Sequence, residues 1–406
     1  MNQNQIIMNT KLIWAMLLIL VFTSCSEEDI LSPLENNQVP PGTVENVRVE
    51  NLPGKVRLTY TLPEDKDLLY VVAKYELENG TEVEVKSSYY NNSMLLEGFA
   101  GQSDRNVNLY AVNRSEIESE PVIVTVSPLE APIFDVFESL EVSPDFGGIK
   151  INSRNNTNED IALLVMEKNE QNDWEVLPNS IYTSASEISQ SIRGFDTIPK
   201  EFAFVVRDRW LNTTDTLIKE IKPLYETLIP KSNYSAARLP NDAMSIENRY
   251  PINNLWDGEY NWYWGTYFTS RVIDVGSHLV TIDLGQKIKL SRIRIWDFAE
   301  PIGGQITYYY LGAMKHFRIW GSNELNDGDL SDWTLLGTYE VIKPSGLPYG
   351  QQTNEDYLEA VDGNDYEIPI EAPPVRYIRI ESIENWSGGE FMAVSEIEVY
   401  GNPNPN

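Results

Sequence analysis

The chain has 406 residues, with 61 Asp and Glu against 31 Lys and Arg, for a formal net charge of −30. That balance excludes a general nucleic-acid binder, which needs a basic surface to displace counterions from phosphates, and it disfavours polyanions as ligands. One cysteine in the whole chain removes disulfides, zinc–thiolate sites and thiol nucleophiles from the core of any domain. A hydrophobic content of 42% and an aromatic content of 11% belong to folded domains, and the length allows two to four of them at ~100–200 residues each.

The N-terminus reads as a targeting segment. Lys11 supplies a positive charge, and Leu12 to Phe22 form an apolar run of 11 residues, too short for a membrane span of ~20. Phe22-Thr23-Ser24-Cys25 resembles a lipobox, in which small residues precede an acylated cysteine, and Cys25 is the only cysteine of the chain. An uncleaved N-terminal anchor helix is the alternative. The following Ser26-Glu27-Glu28-Asp29 resembles the surface-export signal of Bacteroidetes lipoproteins. These features predict a signal peptide over 1–24, lipidation at Cys25 and a polar tether over 25–42 carrying Pro33, Pro40 and Pro41. The protein is then expected at the outer membrane, lipid-anchored and exposed at the cell surface, since more than one acyl chain anchors stably.

From Val44 the pattern becomes short alternating runs. Val47-Arg48-Val49, Lys55 to Tyr60, Leu69 to Ala73, Val107 to Val112 and Pro121 to Val126 are punctuated by Pro53-Gly54, Pro63 and Asn79-Gly80. About seven short strands in ~85 residues are the pattern of a β-sandwich. A second unit of similar length contains Gly148 to Ile151, Ala162 to Met166 and Phe202 to Val206. Its end, Ile221-Lys222-Pro223-Leu224, echoes Val126-Ser127-Pro128-Leu129. Both units resemble fibronectin type III sandwiches. They are placed at 43–130 and 131–226, with spacing and presentation as their expected role.

The texture changes from Tyr225 onward. Leu255-Trp256-Asp257-Gly258, Trp262 to Thr266, Val280 to Gly285, Leu290 to Trp296, Phe317 to Ser322, Arg376 to Ile380 and Ala393 to Gly401 follow one another. Their order resembles that of discoidin, or coagulation-factor C-type, domains. The resemblance implies a jelly roll over 227–403, in which Val280 to Gly285 and Leu290 to Trp296 are a strand and its partner. Ile282/Leu284, Ile293/Ile295, Phe317/Ile319 and Ile378/Ile380 alternate with polar residues, as half-buried strands require. Arg292, Arg294, Arg376 and Arg379 then point outward or pair with acids. The fold class is therefore all-β: three consecutive β-sandwich domains, two fibronectin type III-like and one discoidin-like jelly roll.

Discoidin-like domains bind ligands with loops at one end of the sandwich. Three such loops here are aromatic: Tyr260 to Trp264, the insertion after Trp296 with Tyr308-Tyr309-Tyr310, and Asn385 to Phe391. A sugar ring has an apolar C–H face for aromatic planes and a hydroxyl rim for amides and carboxylates. Trp262, Tyr263, Tyr309 and Trp386 are the candidate ligand contacts, with a structural role as the alternative for each. The resemblance also implies a structural calcium held by Asn254, Asp257, Ala393 through its carbonyl, and Glu396; the alternative is a plain capped turn at Asp257-Gly258. With His278 and His316 the only imidazoles and no nucleophile-elbow or phosphate-loop motif, a catalytic site is not expected.

The expected function is a lipid-anchored cell-surface glycan-binding protein, serving polysaccharide or host-glycan capture. Its expected partners are a glycan, the membrane through the lipid anchor, and outer-membrane uptake proteins, with no nucleic acid. The alternatives are an adhesin or a structural component of an outer-membrane uptake complex, and then a glycoside-active enzyme.

Overall fold

The computed structural model describes residues 35–246, 248, 250–261, 263–269 and 278–404. Cys25, the run Ser26 to Asp29, Trp262 and the side chain of Tyr263 lie outside what is described. Among the described residues, no helix is long and apolar enough to cross a membrane. The protein is all-β: three β-sandwiches in succession, each around its own apolar core.

In the first sandwich, a three-stranded sheet runs in the order Glu45–Leu52, Lys55–Thr61, Ser93–Glu97. A four-stranded sheet runs Glu82–Ser88, Leu68–Glu76, Arg105–Asn113, Val122–Val126. Val56, Leu58, Leu96, Val71, Ala73, Val107 and Leu109 meet between the sheets, as the alternation demands.

The second sandwich repeats this plan. Glu187–Arg193, Gly148–Arg154 and Glu141–Asp145 form one sheet. Trp174–Val176, Ile161–Lys168, Lys200–Asp208 and Leu217–Ile221 form the other, with Ile181–Thr183 also pairing with Ile161–Lys168. A helix absent from the sequence reading, Pro132–Glu138, opens the unit. Pro132 suits a first turn that has no use for its missing N–H, and Ile133 and Val136 are buried three residues apart.

The echo between Pro128-Leu129 and Pro223-Leu224 proves to be a shared joint. Gly54 N–H donates to Leu129 O at 2.9 Å and Leu129 N–H to Leu52 O at 3.1 Å. Likewise Gly147 N–H donates to Leu224 O at 2.8 Å and Leu224 N–H to Asp145 O at 2.9 Å. Gly54 and Gly147 sit at φ 64° and 63°, in hairpins that only a residue tolerant of the left-handed region turns cheaply. The chain leaving each sandwich is thus laid beside that sandwich's own first hairpin.

The third unit is built on one strand of 20 residues, His278–Asp297. Its first part pairs with Val375–Asn385 and its second part with Ala393–Asn402, so it passes from one layer of the sandwich to the other. Val280 to Gly285 and Leu290 to Trp296, expected as partner strands, are two segments of this single strand. The register shifts between Asp283 and Ile288, where Gly285 (φ 79°) makes a bulge that redirects the chain without reversing it. Met314–Ser322 and Thr334–Glu340 continue the sheet beyond Val375–Asn385.

The four arginines all pair with acids: Arg292 with Glu226 and Asp365, Arg294 with Asp365, Arg376 with Asp283, and Arg379 with Asp242. Arg379 departs from the outward orientation. It is fully buried and donates to Gly328 O at 2.6 Å and to Asp242 Oδ1 at 2.8 Å. Arg193 of the second sandwich reaches Glu367 of the third at 2.7 Å, joining the two units.

Candidate functional site

The three aromatic loops of the third sandwich come together at one end. Tyr250, Phe268, Phe298, Ala313 and Ala393 form a second, smaller core there, with Leu311, Trp386 and Phe391 packed against it. Phe268 stacks on Phe391 with centroids 5.8 Å apart and meets Phe298 edge-on at 5.7 Å. Backbone bonds tie the second and third loops: Trp386 N–H to Ala313 O, Ser387 N–H to Leu311 O and Ala393 N–H to Gly312 O. Asn385, fully buried, holds the third loop closed by accepting from Ser387 and Gly389 N–H and donating to Phe391 O at 2.7 Å.

Of the candidate ligand contacts, Tyr309 requires correction. It is 2% exposed, its ring meets Trp386 edge-on at 5.2 Å, and its hydroxyl donates to Asp356 O. Tyr308 is equally buried, because the segment is not extended: Tyr309 lies at φ 52° and both rings turn inward. Tyr310 instead stacks on Tyr349 at 4.8 Å. Trp386 is half-buried and packs against both cores, with the Lys315 and Lys343 ammonium groups each 5.9 Å from its ring. Trp264, 51% exposed, stacks on Tyr250 at 6.5 Å and presents an open indole in the first loop.

A cavity of about 400 Å³ opens beside this cluster, lined by Gln305, Ile306, Gln352, Thr353, Asn354 and Tyr357. The hairpin Glu300–Ile302/Gln305–Thr307 turns through Gly303-Gly304 and forms one wall. The helix Asn354–Val361 forms the other, with Thr353 capping it through a reciprocal bond to Asp356. Gln352 fixes the two walls by donating to Ile306 O at 3.0 Å and accepting from Tyr308 N–H at 2.8 Å. Among the described residues, no charged side chain lines the cavity, although charged residues make up 23% of the chain. Amides, a hydroxyl and a phenol ring can exchange hydrogen bonds with neutral hydroxyl groups and cover a C–H face. No motif marked these residues in the sequence; the available signal was the uncharged run Gln351-Gln352-Thr353-Asn354 in a strongly acidic chain.

The Asp257-Gly258 turn and Glu396 do meet. Gly258 N–H donates to Glu396 Oε2 at 2.9 Å, and Asp257 Oδ1 accepts from Glu259 N–H at 2.8 Å. Glu396 is fully buried, and burial pushes its carboxyl up to about 7 against the pull of Lys231 and the Gly258 amide. Lys231 Nζ stands 2.8 Å from the other oxygen, Oε1. Asn254 directs its amide nitrogen to Thr266 O at 3.0 Å, and Ala393 is buried, its N–H bonded to Gly312 O. Calcium takes six to eight oxygens. As arranged, these residues do not fit it: Glu396 Oε2 and one Asp257 oxygen already accept backbone N–H groups, and the Lys231 ammonium occupies the approach to Glu396 Oε1, which accepts no hydrogen bond. Among the described residues, no three His, Cys, Asp or Glu side chains gather so as to hold a metal ion.

Both histidines have defined partners. His278 is buried with Nδ1 2.8 Å from Thr269 Oγ1, and burial lowers its pKa. His316 bridges Glu384 at 2.7 Å and Glu340 at 3.3 Å on the sheet.

Comparison with known proteins follows the same three-part division. Residues 41–128, 129–232 and 256–401 match three family models, each described as a domain of unknown function. No curated protein matches. Among solved structures, a two-domain fibronectin type III segment of chicken tenascin shares 11% identity, covering 45% of this chain and 99% of that one at a TM-score of 0.22. A CBM32 carbohydrate-binding module bound to GalNAc shares 14%, covering 43% and 98% at 0.27. A SusE-like protein shares 30%, covering 66% of this chain and 98% of that one at a TM-score of 0.44. With 30% identity across nearly the whole length of that protein, the chain belongs to the SusE-like family.

Proposed function

We propose that this protein binds a neutral glycan at the loop end of its third sandwich and is presented at the cell surface by a lipid on Cys25. The observation that carries the reading is the uncharged cavity of about 400 Å³ beside the aromatic loop cluster. Its volume suits one or two sugar rings, and its amides and phenol ring match hydroxyls and a C–H face. A net charge of −30 disfavours acidic chains and leaves neutral saccharides as the favoured ligands.

The test is calorimetric titration of the full chain against neutral oligosaccharides first selected on a glycan array. Gln305 and Asn354 are exposed, so the double variant Gln305→Ala/Asn354→Ala should keep the wild-type melting temperature. It should lose roughly tenfold or more in affinity, since each lost hydrogen bond contributes about 1 kcal/mol. Undiminished affinity would move the ligand away from this cavity. A stoichiometric protein partner recovered from membranes regardless of added glycan would instead favour the adhesin reading.

A further inference from the structure

A buried carboxylate needs a counter-charge, and the chain provides one from an unexpected place. The short strand Thr227–Leu228 pairs with Tyr400 and Gly401, and Ile229 N–H continues the ladder to Val399 O. The turn Lys231–Asn233 follows, so this register carries Lys231 alongside Glu396 and Glu398. Its Nζ lies 2.8 Å from Glu396 Oε1 and 3.6 Å from Glu398 Oε1. It also donates to Tyr260 Oη at 2.6 Å and sits 4.5 Å from that ring's centroid. Tyr260 in turn donates to Glu398 Oε1 at 2.6 Å. The ammonium therefore has an oxygen from each of three side chains within 3.6 Å. The Glu396 carboxylate beside it is held from the other side by the Gly258 amide.

We propose that Lys231 is the resident cation of the Asp257–Glu396 turn. It takes the place of the divalent metal that such a carboxylate-lined turn would otherwise recruit, and so holds the first ligand loop in place without calcium. An ammonium with three donors satisfies what a hard cation would satisfy, and it is covalently part of the chain, so loop order does not depend on the calcium concentration outside the cell. Tyr260 extends the effect into the loop, because its hydroxyl is fixed by Lys231 and Glu398 while its ring meets Trp296 edge-on at 4.7 Å. The inference stands on this geometry and is independent of which ligand the loops take.

Thermal unfolding of the full mature chain, followed by tryptophan fluorescence, tests it in chelator and in millimolar calcium chloride. The wild-type melting temperature should be the same in both, and terbium, used as a luminescent calcium substitute, should give no sensitised emission. Lys231→Met leaves Glu396 buried without its partner and should lower the melting temperature by about 5–15 °C. Lys231→Arg keeps the charge and should melt close to wild type, also without a calcium response. The proposal is overturned if chelator destabilises the wild-type protein and calcium restores it. It is equally overturned if Lys231→Met melts with the wild type. Neither readout uses a glycan, so failure here is separable from failure of the glycan-binding reading.

Discussion

Asp297 illustrates how much a single buried side chain decides at the loop end. It is buried, its Oδ1 has no hydrogen-bond partner, and Tyr308, Tyr309 and Tyr366 stand close enough to feel its charge. Burial pushes its carboxyl from 3.8 up to about 7, against a hydrogen bond from the Met314 amide. The folded protein thus keeps a proton that the unfolded chain releases above pH 3.8. The stability this contributes is whole below that pH and is lost as pH rises through about 7. The wild-type melting temperature should therefore fall between pH 5 and 8 more steeply than that of Asp297→Asn. The two should converge near pH 4 and differ by several degrees at pH 8, and parallel curves from scanning calorimetry would contradict the assignment. Neither the orphaned oxygen nor the inward turn of Tyr308 and Tyr309 is visible in the local sequence. A Tyr-Tyr-Tyr run reads as alternating only if it is extended, and the positive φ at Tyr309 breaks that assumption.

At the level of elements, strand content and facing were legible because apolar alternation is a local property. Lys55–Thr61 and Arg105–Asn113 run a residue or two beyond the segments read from sequence, with the same side chains inward. Pairing was less legible. The two halves of His278–Asp297 look like two strands because a bulge and a turn share their residues, Gly, Gln and Lys. Only the neighbours Val375–Asn385 and Ala393–Asn402 show that the chain continues. The joints between sandwiches rest on Gly54 and Gly147. Gly147→Ala places a Cβ 3.2 Å from Glu226 Oε2 at a left-handed φ, and Glu226 is itself held by Arg292. The substitution should cost about 1–3 kcal/mol, measured by denaturant unfolding. Gly101→Ala, at a non-positive φ with open space around it, is the control expected to be neutral.

On the scale of the whole molecule, the two joints and the ion pairs beside them hold the sandwiches in sequence. Arg209 of the second unit reaches Glu97 of the first at 2.6 Å, as Arg193 reaches Glu367 of the third at 2.7 Å. If Cys25 carries the lipid, the ligand loops lie two sandwiches away from it along the chain. In cells fed labelled fatty acid, the wild-type chain should take up label and sediment with membranes. Cys25→Ala should lose both, and a Cys25→Ala chain that still sediments would point to the uncleaved-anchor alternative.

By itself, the sequence determined the all-β class and the aromatic character of the loops, because each follows from the order of residues within about ten positions. It also pointed to the meeting of Asp257 with Glu396 through family resemblance. Tertiary structure alone decided what surrounds that pair and where a ligand has room. Lys231 reaches Glu396 through the pairing of Leu228 with Tyr400, and the cavity joins Gln305 to Asn354 across a hairpin and a helix. Both contacts span long stretches of chain and depend on register, which one sequence does not encode in any local pattern.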